Sequence, residues 1–402
     1  MQRALRQVLP LLPIAFALAC GGSHTAPGTS PGPSSSSAGT EDEFGREKEL
    51  PAGVPAQAPD GSFRATFPST IPVEFVSGRG HLQAHFSLGT AAKTRCFFYQ
   101  DAMDAGQAIR TVLESMRSKV RFQTVRPYRI VVSGGAPVVF VDARYELESA
   151  EGNQRGGLKL AVSPRAEAPA LCFLDEAGYL ETFAGAITSL LASIETNGKQ
   201  PLYSELWTIS REATPFGFRW LRVMDREDEP RAAVTLSAQF LPGPDGELST
   251  TDALEVVVRD TKGIKTATFV ASESGTVRHE LELRRTAKGK YQVSGKLGGE
   301  EFKASFKDSR LTDELELGKL IAQTTAERPE LKASLYRPAL DPAHPTPLVV
   351  TRAQAGPEIA LRRGAAELTG TLDEKGQLKR LVEKDGPGEL LMERIDQVGS
   401  PE

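Results

Sequence analysis

The fold of the second half of the chain is decided by the stretch Val277-Arg278-His279-Glu280-Leu281-Glu282-Leu283-Arg284. Every second residue is apolar or a histidine, and the residues between them are charged. This alternation has the period of a β-strand that buries one face and exposes the other. The period returns at residues 291–297 and 302–306, after the short turns Lys288-Gly289 and Gly298-Gly299. Turns this short predict that neighbouring strands are antiparallel.

The same pattern extends over residues 202–396, which we assign to one β-rich domain. One helix interrupts it, from Asp313 to about Thr324, and Asp313 with Glu316 forms a capping-box-like pair at its start. So many consecutive strands with one polar face require a strongly curved sheet, as in a half-barrel, or a sandwich. The further strand signals lie at 203–210, 216–223, 232–241, 254–259, 265–271, 347–352, 358–362, 367–372, 378–383 and 390–395.

This succession of strands is similar to that of the periplasmic half-barrel proteins that carry lipids or lipoproteins. The resemblance implies a concave apolar face that holds a ligand, whereas a closed sandwich without a cavity is the alternative. The densest aromatic group of the domain is a candidate for that face. If it does not line a ligand surface, it packs in an ordinary core. Its members are Trp207, Phe216, Phe218 and Trp220.

Residues 61–197 form a first domain in which the hydrophobic period changes. Alternating strand signals come first, and an amphipathic helix with apolar residues at helical spacing follows. A second helix is predicted from about Tyr179 to Glu195. Strands with two packed helices predict an α+β domain around an antiparallel sheet. The apolar positions of the first helix are Ile109, Val112, Leu113, Met116 and Val120.

The order of elements in this first domain resembles the PsbP-like fold, an α/β sandwich that also occurs in bacterial lipoproteins. The resemblance implies a binding or scaffolding module rather than an enzyme. Together with the second domain it gives an α+β chain of two domains, separated near Gly198 and Pro201.

The N-terminus carries Arg3 and Arg6, an apolar run of about a dozen residues, and then Phe16-Ala17-Leu18-Ala19-Cys20-Gly21-Gly22. The run is shorter than the roughly 20 residues that a membrane-spanning helix needs, so we interpret residues 1–19 as a signal peptide. Leu18-Ala19-Cys20 resembles the end of a bacterial lipoprotein signal. The resemblance implies that Cys20 is acylated and anchors the chain in a lipid bilayer. Alternatively, Ala17-Leu18-Ala19 is an ordinary cleavage site that releases the protein.

The resemblance to lipoproteins also implies a location in the cell envelope. Gly21 stands where an inner-membrane retention signal has aspartate, which favours the outer membrane. Residues 20–60 are rich in Gly, Pro and Ser and read as a disordered tether, because they contain too little apolar surface to fold. Residues 397–402 form a short tail.

Two cysteines remain once Cys20 is assigned to the anchor. Cys96 and Cys172 lie in apolar runs that look like neighbouring strands, so an oxidising periplasm favours a disulfide between them. Two buried free thiols are the alternative. Neither cysteine has another cysteine or a histidine at metal-ligand spacing, so we expect no metal site.

Charge and composition narrow the function further. The chain has 48 basic and 52 acidic residues, a net charge of −4, which does not favour nucleic acid as a partner. No apolar run after residue 19 is long enough to cross a membrane.

No pattern of catalytic residues appears. His81 and His85 are four apart but stand in an alternating strand segment, and His279 lies on an apolar strand face. His344 follows Asp341 in a proline-rich loop without a G-x-S-x-G nucleophile motif. The acidic run 225–229 is typical of a solvated loop. We therefore expect neither enzymatic activity nor a cofactor.

These observations predict a membrane-anchored, non-enzymatic module that binds an apolar ligand or another envelope protein. The alternative is a structural or assembly subunit of an envelope complex that binds no small molecule.

Overall fold

The structure, a computed structural model, describes residues 44–149, 152–196, 200–226, 229–325, 327–352, 356–385 and 388–400. The predicted signal peptide 1–19, Cys20, most of the predicted tether and the last two residues of the predicted tail lie outside the described residues. Among the residues described, no helix is both long and apolar enough to cross a membrane.

The first sheet has seven antiparallel strands, in the spatial order β3-β4-β5-β9-β8-β7-β6. The helices α1 (Ala105–Arg117) and α2 (Leu180–Ala192) accompany it, as predicted. The strands are β3 (Glu74–Gly78), β4 (His81–Phe86), β5 (Thr94–Tyr99), β6 (Arg121–Ser133), β7 (Ala136–Ser149), β8 (Gly152–Ser163) and β9 (Ala170–Asp175).

The two helices pack on opposite faces of this sheet. α1 buries Ile109, Val112, Leu113 and Met116 against one face, as their helical spacing predicts. The helix ends at Arg117, so Val120, which was expected to belong to it, lies beyond its end. α2 packs on the other face, beside the two-stranded ribbon of β1 (Gly53–Gln57) and β2 (Arg64–Pro68).

Residues 44–60 lie within the range expected to be tether, yet they contact the first sheet and α2. In β1 the residues Val54 and Ala56 are half-buried, and pairing with β2 provides hydrogen-bond partners for backbone groups of the strand. Glu47 accepts hydrogen bonds from the backbone N–H groups of Glu181 and Thr182, at 2.9 and 2.7 Å. Glu47 therefore caps α2, because the N-cap residue Tyr179 supplies no side-chain hydrogen bond of its own.

Cys96 and Cys172 form a disulfide. They are directly opposite each other in the antiparallel pair β5 and β9, and both are fully buried under α2.

The second half of the chain forms one 15-stranded sheet with a single helix. Together with the first sheet and its two helices, this confirms the predicted α+β class. The strands of this second sheet run β17-β16-β15-β14-β13-β12-β11-β10-β24-β23-β22-β21-β20-β19-β18 in space, and among the described residues only β18 and β19 pair in parallel. The first arm of the sheet comprises β10 (Tyr203–Arg211), β11 (Thr214–Arg226), β12 (Glu229–Pro242), β13 (Leu248–Asp260), β14 (Gly263–Glu273), β15 (Thr276–Arg285), β16 (Tyr291–Leu297) and β17 (Glu300–Phe306). The second arm comprises β18 (Leu311–Thr312), β19 (Glu330–Leu335), β20 (Thr346–Arg352), β21 (Glu358–Arg363), β22 (Ala366–Leu372), β23 (Leu378–Asp385) and β24 (Gly388–Gly399).

The sheet curls on itself around the helix α3 (Glu314–Gln323). β18 contacts β14, and Leu311 and Tyr336 pack with the inner face of the first arm. Leu315 of α3 packs toward the first arm, whereas Leu317 and Ile321 pack on the second. The alternation in β15 is as predicted from His279 onward, because Leu281 and Leu283 are buried and Glu280, Glu282 and Arg284 are exposed. Val277 is exposed instead of buried, because the register with β14 shifts between His279 and Val277.

The outer face of β10 to β13 is also apolar, and the first domain covers it. A single cluster joins α1 and the first sheet to residues of the second. Asp252 of β13 accepts a hydrogen bond from the backbone N–H of Gly106, in the first turn of α1, at 2.9 Å. The two sheets therefore share one core. The second-sheet members of that cluster are Leu206, Phe218, Trp220, Ala238, Phe240 and Leu248.

Candidate ligand-binding cavity

A cavity of about 590 Å³ lies between α3 and the inner face of the second arm. Strand register explains why its wall is apolar. Leu361 is opposite Leu368, and Leu381 is opposite Met392, so alternate residues of four neighbouring strands share one face. The apolar lining comprises Trp207, Leu315, Leu317, Ile321, Leu348, Leu361, Leu368, Leu378, Leu381 and Met392.

α3 closes the cavity and is held largely by charges at its first turn. Asp313 accepts a hydrogen bond from the backbone N–H of Glu316 at 3.0 Å, which is the predicted N-cap. Arg259 binds Asp313 at 2.6 Å, and Arg219 binds Glu314 at 3.0 Å. Leu317 and Ile321 are the buried residues of the helix.

Buried charges collect where α3 begins. The Tyr203 hydroxyl donates to Glu205 at 2.8 Å, and Arg219 lies 3.5 Å from Glu205. Burial raises the pKa of Glu314, but the guanidinium groups of Arg219, Arg363 and Arg337 outweigh burial and lower it overall. Glu314 is therefore ionised and fixes α3 to the sheet.

Glu255 of β13 has the opposite character. Burial, followed by the nearby charges of Glu314 and Asp313, raises its pKa to about 8. Its side chain is therefore largely protonated at neutral pH, and it adds little negative charge to the group around Arg219.

Two further arginines line the cavity, Arg363 and Arg394, and each is paired with a carboxylate of the second arm. Arg363 binds Glu383 at 2.7 Å, and Arg394 binds Asp373. Lys319 of α3 is 3.3 Å from Glu316. Every cationic side chain among the described residues of the lining therefore already has an acidic partner.

The four predicted aromatics do not share one face. Trp207 lines the cavity. Phe218 and Trp220 lie on the other side of the sheet, in the core shared with the first domain, where Trp220 Nε1 donates to Ser204 Oγ at 2.9 Å. Phe216 is buried, with the Arg211 guanidinium 5.9 Å from its ring.

The described histidines lie away from the cavity. His81 and His85 flank Gln83 on β4, with side-chain contacts of 3.1 and 3.4 Å to it. His279 stacks on Phe269, and exposed His344 lies 3.0 Å from Asp341. Within the described part of the chain, no group of three or more His, Cys, Asp or Glu side chains could hold a metal ion.

The sequence reasoning did not single out Glu205, Arg219, Glu314 or Arg363. A signal was present for Glu205, which stands between Tyr203 and Trp207 at the position that an alternating strand turns inward. A charged residue at an inward position is unusual and often marks a site.

Comparisons with known proteins do not assign the chain to a family. No family model matches the chain, and no curated protein matches it. Among solved structures, it is similar to the beta-barrel-like protein of domain of unknown function DUF1849 from Brucella abortus. The two have 12% sequence identity and a TM-score of 0.38, and the similarity covers 50% of this chain and 98% of that chain.

Proposed function

We propose that the protein is a non-enzymatic binding module that takes an apolar ligand into the cavity beneath α3. The observation that carries this proposal is the apolar wall around about 590 Å³ of unfilled space. Ligand pockets have volumes of roughly 300–1,000 Å³, and this one falls within that range. Burial of an apolar ligand against these leucines would supply the binding energy.

The attachment of α3 also supports a ligand-binding function. Ion pairs hold the first turn of α3, through Arg219 with Glu314 and Arg259 with Asp313, and breaking such partly buried pairs is costly. Beyond that turn only Leu317 and Ile321 are buried, so the C-terminal end of the helix can move away at lower cost while the first turn stays in place.

We further propose that acylated Cys20 anchors this module at the cell envelope, on the outer membrane. The support is the sequence Phe16-Ala17-Leu18-Ala19-Cys20, which resembles a lipoprotein signal, together with the disulfide, which suits an oxidising compartment. Intact mass of the mature protein tests the anchor. An acylated N-terminal cysteine is expected, and a Cys20→Ser variant should leave the membrane fraction.

The binding test is a titration of the full mature chain with the neutral fluorescent dye N-phenylnaphthylamine. Leu361→Trp fills the cavity and should abolish dye binding, whereas Ala360→Trp, on the exposed face of the same strand, should not affect it. Circular dichroism checks that both variants are folded. Equal dye binding by the two variants would locate the dye elsewhere and refute the proposal.

The competing function is a structural or assembly subunit of an envelope complex. The resemblance of the first domain to the PsbP-like fold supports it. Native mass spectrometry of the protein purified from its own host separates the two functions. A co-purifying lipid would support ligand binding, whereas an empty monomer that also fails to bind the dye would support the assembly function.

A further inference from the structure

The exposed lysines and arginines at one end of the second sheet form a basic surface, although the whole chain has a net charge of −4. They surround a cleft between α3 and the ends of β13, β15 and β17. The ion pairs beside this cleft use other cations, namely Arg259, Arg285 and Lys332. Six exposed cations therefore have no ion pair among the described residues. We call them the basic rim: Lys262, Lys265, Lys288, Lys290, Lys307 and Arg310.

The acidic groups of the cleft do not balance the basic rim. Arg285 binds Asp260 at 2.6 Å, and Arg259 lies 3.7 Å from Glu316. Asp308 is the remaining acidic side chain among the described residues that line the cleft. The rim therefore carries an excess of positive charge in contact with water, which attracts an anionic partner.

The apolar cavity opens at the same end of the sheet. Its exposed lining residues, which mark its mouth, are Ala322, Gln323 and Ser400. Ser400 follows the last residue of β24, which pairs with Tyr203 at the start of β10. Successive antiparallel pairs align Tyr203 with Val257, near the end of β13 where the basic rim begins. The mouth and the basic rim therefore lie at one end of the sheet, with α3 lining both the cavity and the cleft.

Two exposed apolar side chains belong to this end as well. Leu202 precedes β10 and is 41% exposed, and Val398, near the end of β24, is 52% exposed. A surface that combines basic with exposed apolar side chains is typical of proteins that bind anionic bilayers. A small phosphate ligand fits less well, because the rim consists mainly of exposed lysines on three separate turns rather than of convergent backbone amides or a rigid arginine fork.

We infer that this end of the second sheet binds the surface of a bilayer that contains anionic lipids, with the mouth of the cavity toward the lipid. The basic rim supplies the attraction, and Leu202 and Val398 enter the interfacial layer. In directing the mouth toward the lipid, this inference rests on the proposed function, whereas the attraction depends on the rim alone. Because salt screens such an attraction, it orients an anchored chain and does not replace the anchor.

Vesicle co-sedimentation tests the attraction. The full mature chain carries Cys20→Ser, so that no acyl group contributes to binding. It should bind vesicles of phosphatidylglycerol and phosphatidylcholine but not vesicles of phosphatidylcholine alone, and raising the salt from about 20 mM to about 300 mM should release it. Equal binding to both kinds of vesicle would overturn the inference. Displacement by inorganic phosphate but not by chloride at the same ionic strength would place a small anion in the cleft and overturn it as well.

Lysine variants locate the attraction. Lys262→Gln with Lys265→Gln and Lys307→Gln should weaken vesicle binding at least tenfold, since each basic residue near an anionic surface contributes roughly fivefold. The matched control removes the same charge from exposed positions away from the rim, and equal weakening there would overturn the inference. Both triple variants should bind N-phenylnaphthylamine like the wild type, and failure of the wild type to bind the dye would instead refute the proposed function. The control substitutions are Lys119→Gln, Lys296→Gln and Lys384→Gln.

Tryptophan reporters test the orientation. Val398→Trp should show a blue shift of its fluorescence when the anionic vesicles are added, because its side chain enters a less polar layer. Val277→Trp should show none, since Val277 is 39% exposed at the start of β15, the opposite end of the sheet from the rim. Equal shifts at both positions, or no shift at Val398→Trp, would turn the mouth of the cavity away from the bilayer and overturn the inference.

Discussion

Replacement of Asp252 by asparagine should stabilise the protein above neutral pH. Asp252 is 5% exposed, and its Oδ1 accepts from the backbone N–H of Gly106 while Oδ2 has no partner among the described residues. Burial raises the pKa of Asp252 from 3.8 to about 7, although the α1 amides favour its charged form. Asparagine keeps the acceptor for Gly106 and removes the charge. Its amide can donate to Thr250 Oγ1, which is unpaired and lies beside the same glycine.

The size and sign of the stability change follow from the linkage between folding and proton binding at Asp252. Because the folded-state pKa is the higher one, the folded state binds more protons, and this group lowers stability as pH rises from about 4 to about 7. The difference of about three units between the folded-state and unfolded-state pKa values corresponds to about 4 kcal/mol of folding free energy. All of it is lost once the pH is above the folded-state pKa. Asp252→Asn should therefore match the wild type at about pH 4 and exceed its free energy of unfolding by up to about 4 kcal/mol at about pH 8.

Urea unfolding at these two pH values measures the effect. Asp245→Asn is the control, because Asp245 is an exposed aspartate in the turn before β13. If Asp252→Asn is less stable than the wild type at both pH values, the carboxylate is a net stabilising cap for α1 and the reasoning from burial is refuted.

Three further predictions concern stability. Cys96→Ala combined with Cys172→Ala should lower the free energy of unfolding by about 4 kcal/mol, because the disulfide closes a loop with a sequence separation of 76. Glu47→Ala should cost about 1 kcal/mol, since it removes the cap of α2. Gly106→Val should cost at least about 2 kcal/mol, because a Cβ at Gly106 would lie 2.5 Å from Asp252 Oδ2 and 2.6 Å from Thr250 Cβ. Denaturant unfolding checks all three.

Each of these variants has its own control. Reduction of the wild-type disulfide should reproduce the double alanine variant, and a loss below about 1 kcal/mol would contradict the loop-closure argument. Glu49→Ala, at an exposed position, should leave the free energy of unfolding nearly unchanged. If it lowers that free energy as much as Glu47→Ala does, Glu47 does not act as the cap of α2. Gly318→Ala in α3 meets nothing within 4 Å, so it should not destabilise the protein.

The elements were predictable because their signals are local. The spacing of Ile109, Val112, Leu113 and Met116 identified a helix face that is buried in full. Asp313 acts as the N-cap that its capping-box pattern indicated, and the helix after it ends within a residue of the predicted position. Such patterns depend on backbone period and on hydrogen bonds between near neighbours, so they can be recognised without knowledge of the tertiary fold.

The shared core could not be predicted in the same way. β11 and β12 carry apolar residues on both faces, as Leu221 and Trp220 illustrate, and this indicates that both faces are covered. The sequence does not say that α1 and β6 are the cover, because that depends on how two sheets meet in space. Glu255 was equally hidden, since its neighbours Asp313 and Glu314 lie more than fifty residues away in the chain.

Trp207 lies on the opposite face of the sheet from Phe218 because the hairpin of β10 and β11 contains one extra residue. The turn pairs Arg211 with Thr214 and Ser210 with Pro215, a register that would put Trp207 opposite Phe218 if it continued. A β-bulge between Ile209 and Ser210 shifts the register, so Trp207 is opposite Arg219. A shift of one residue exchanges the faces of a strand. Trp207 therefore faces the cavity beside Arg219, whereas Phe218 faces the first domain. Because the sequence carries no recognisable signal for the bulge, strand spacing alone predicts all four aromatics on one surface.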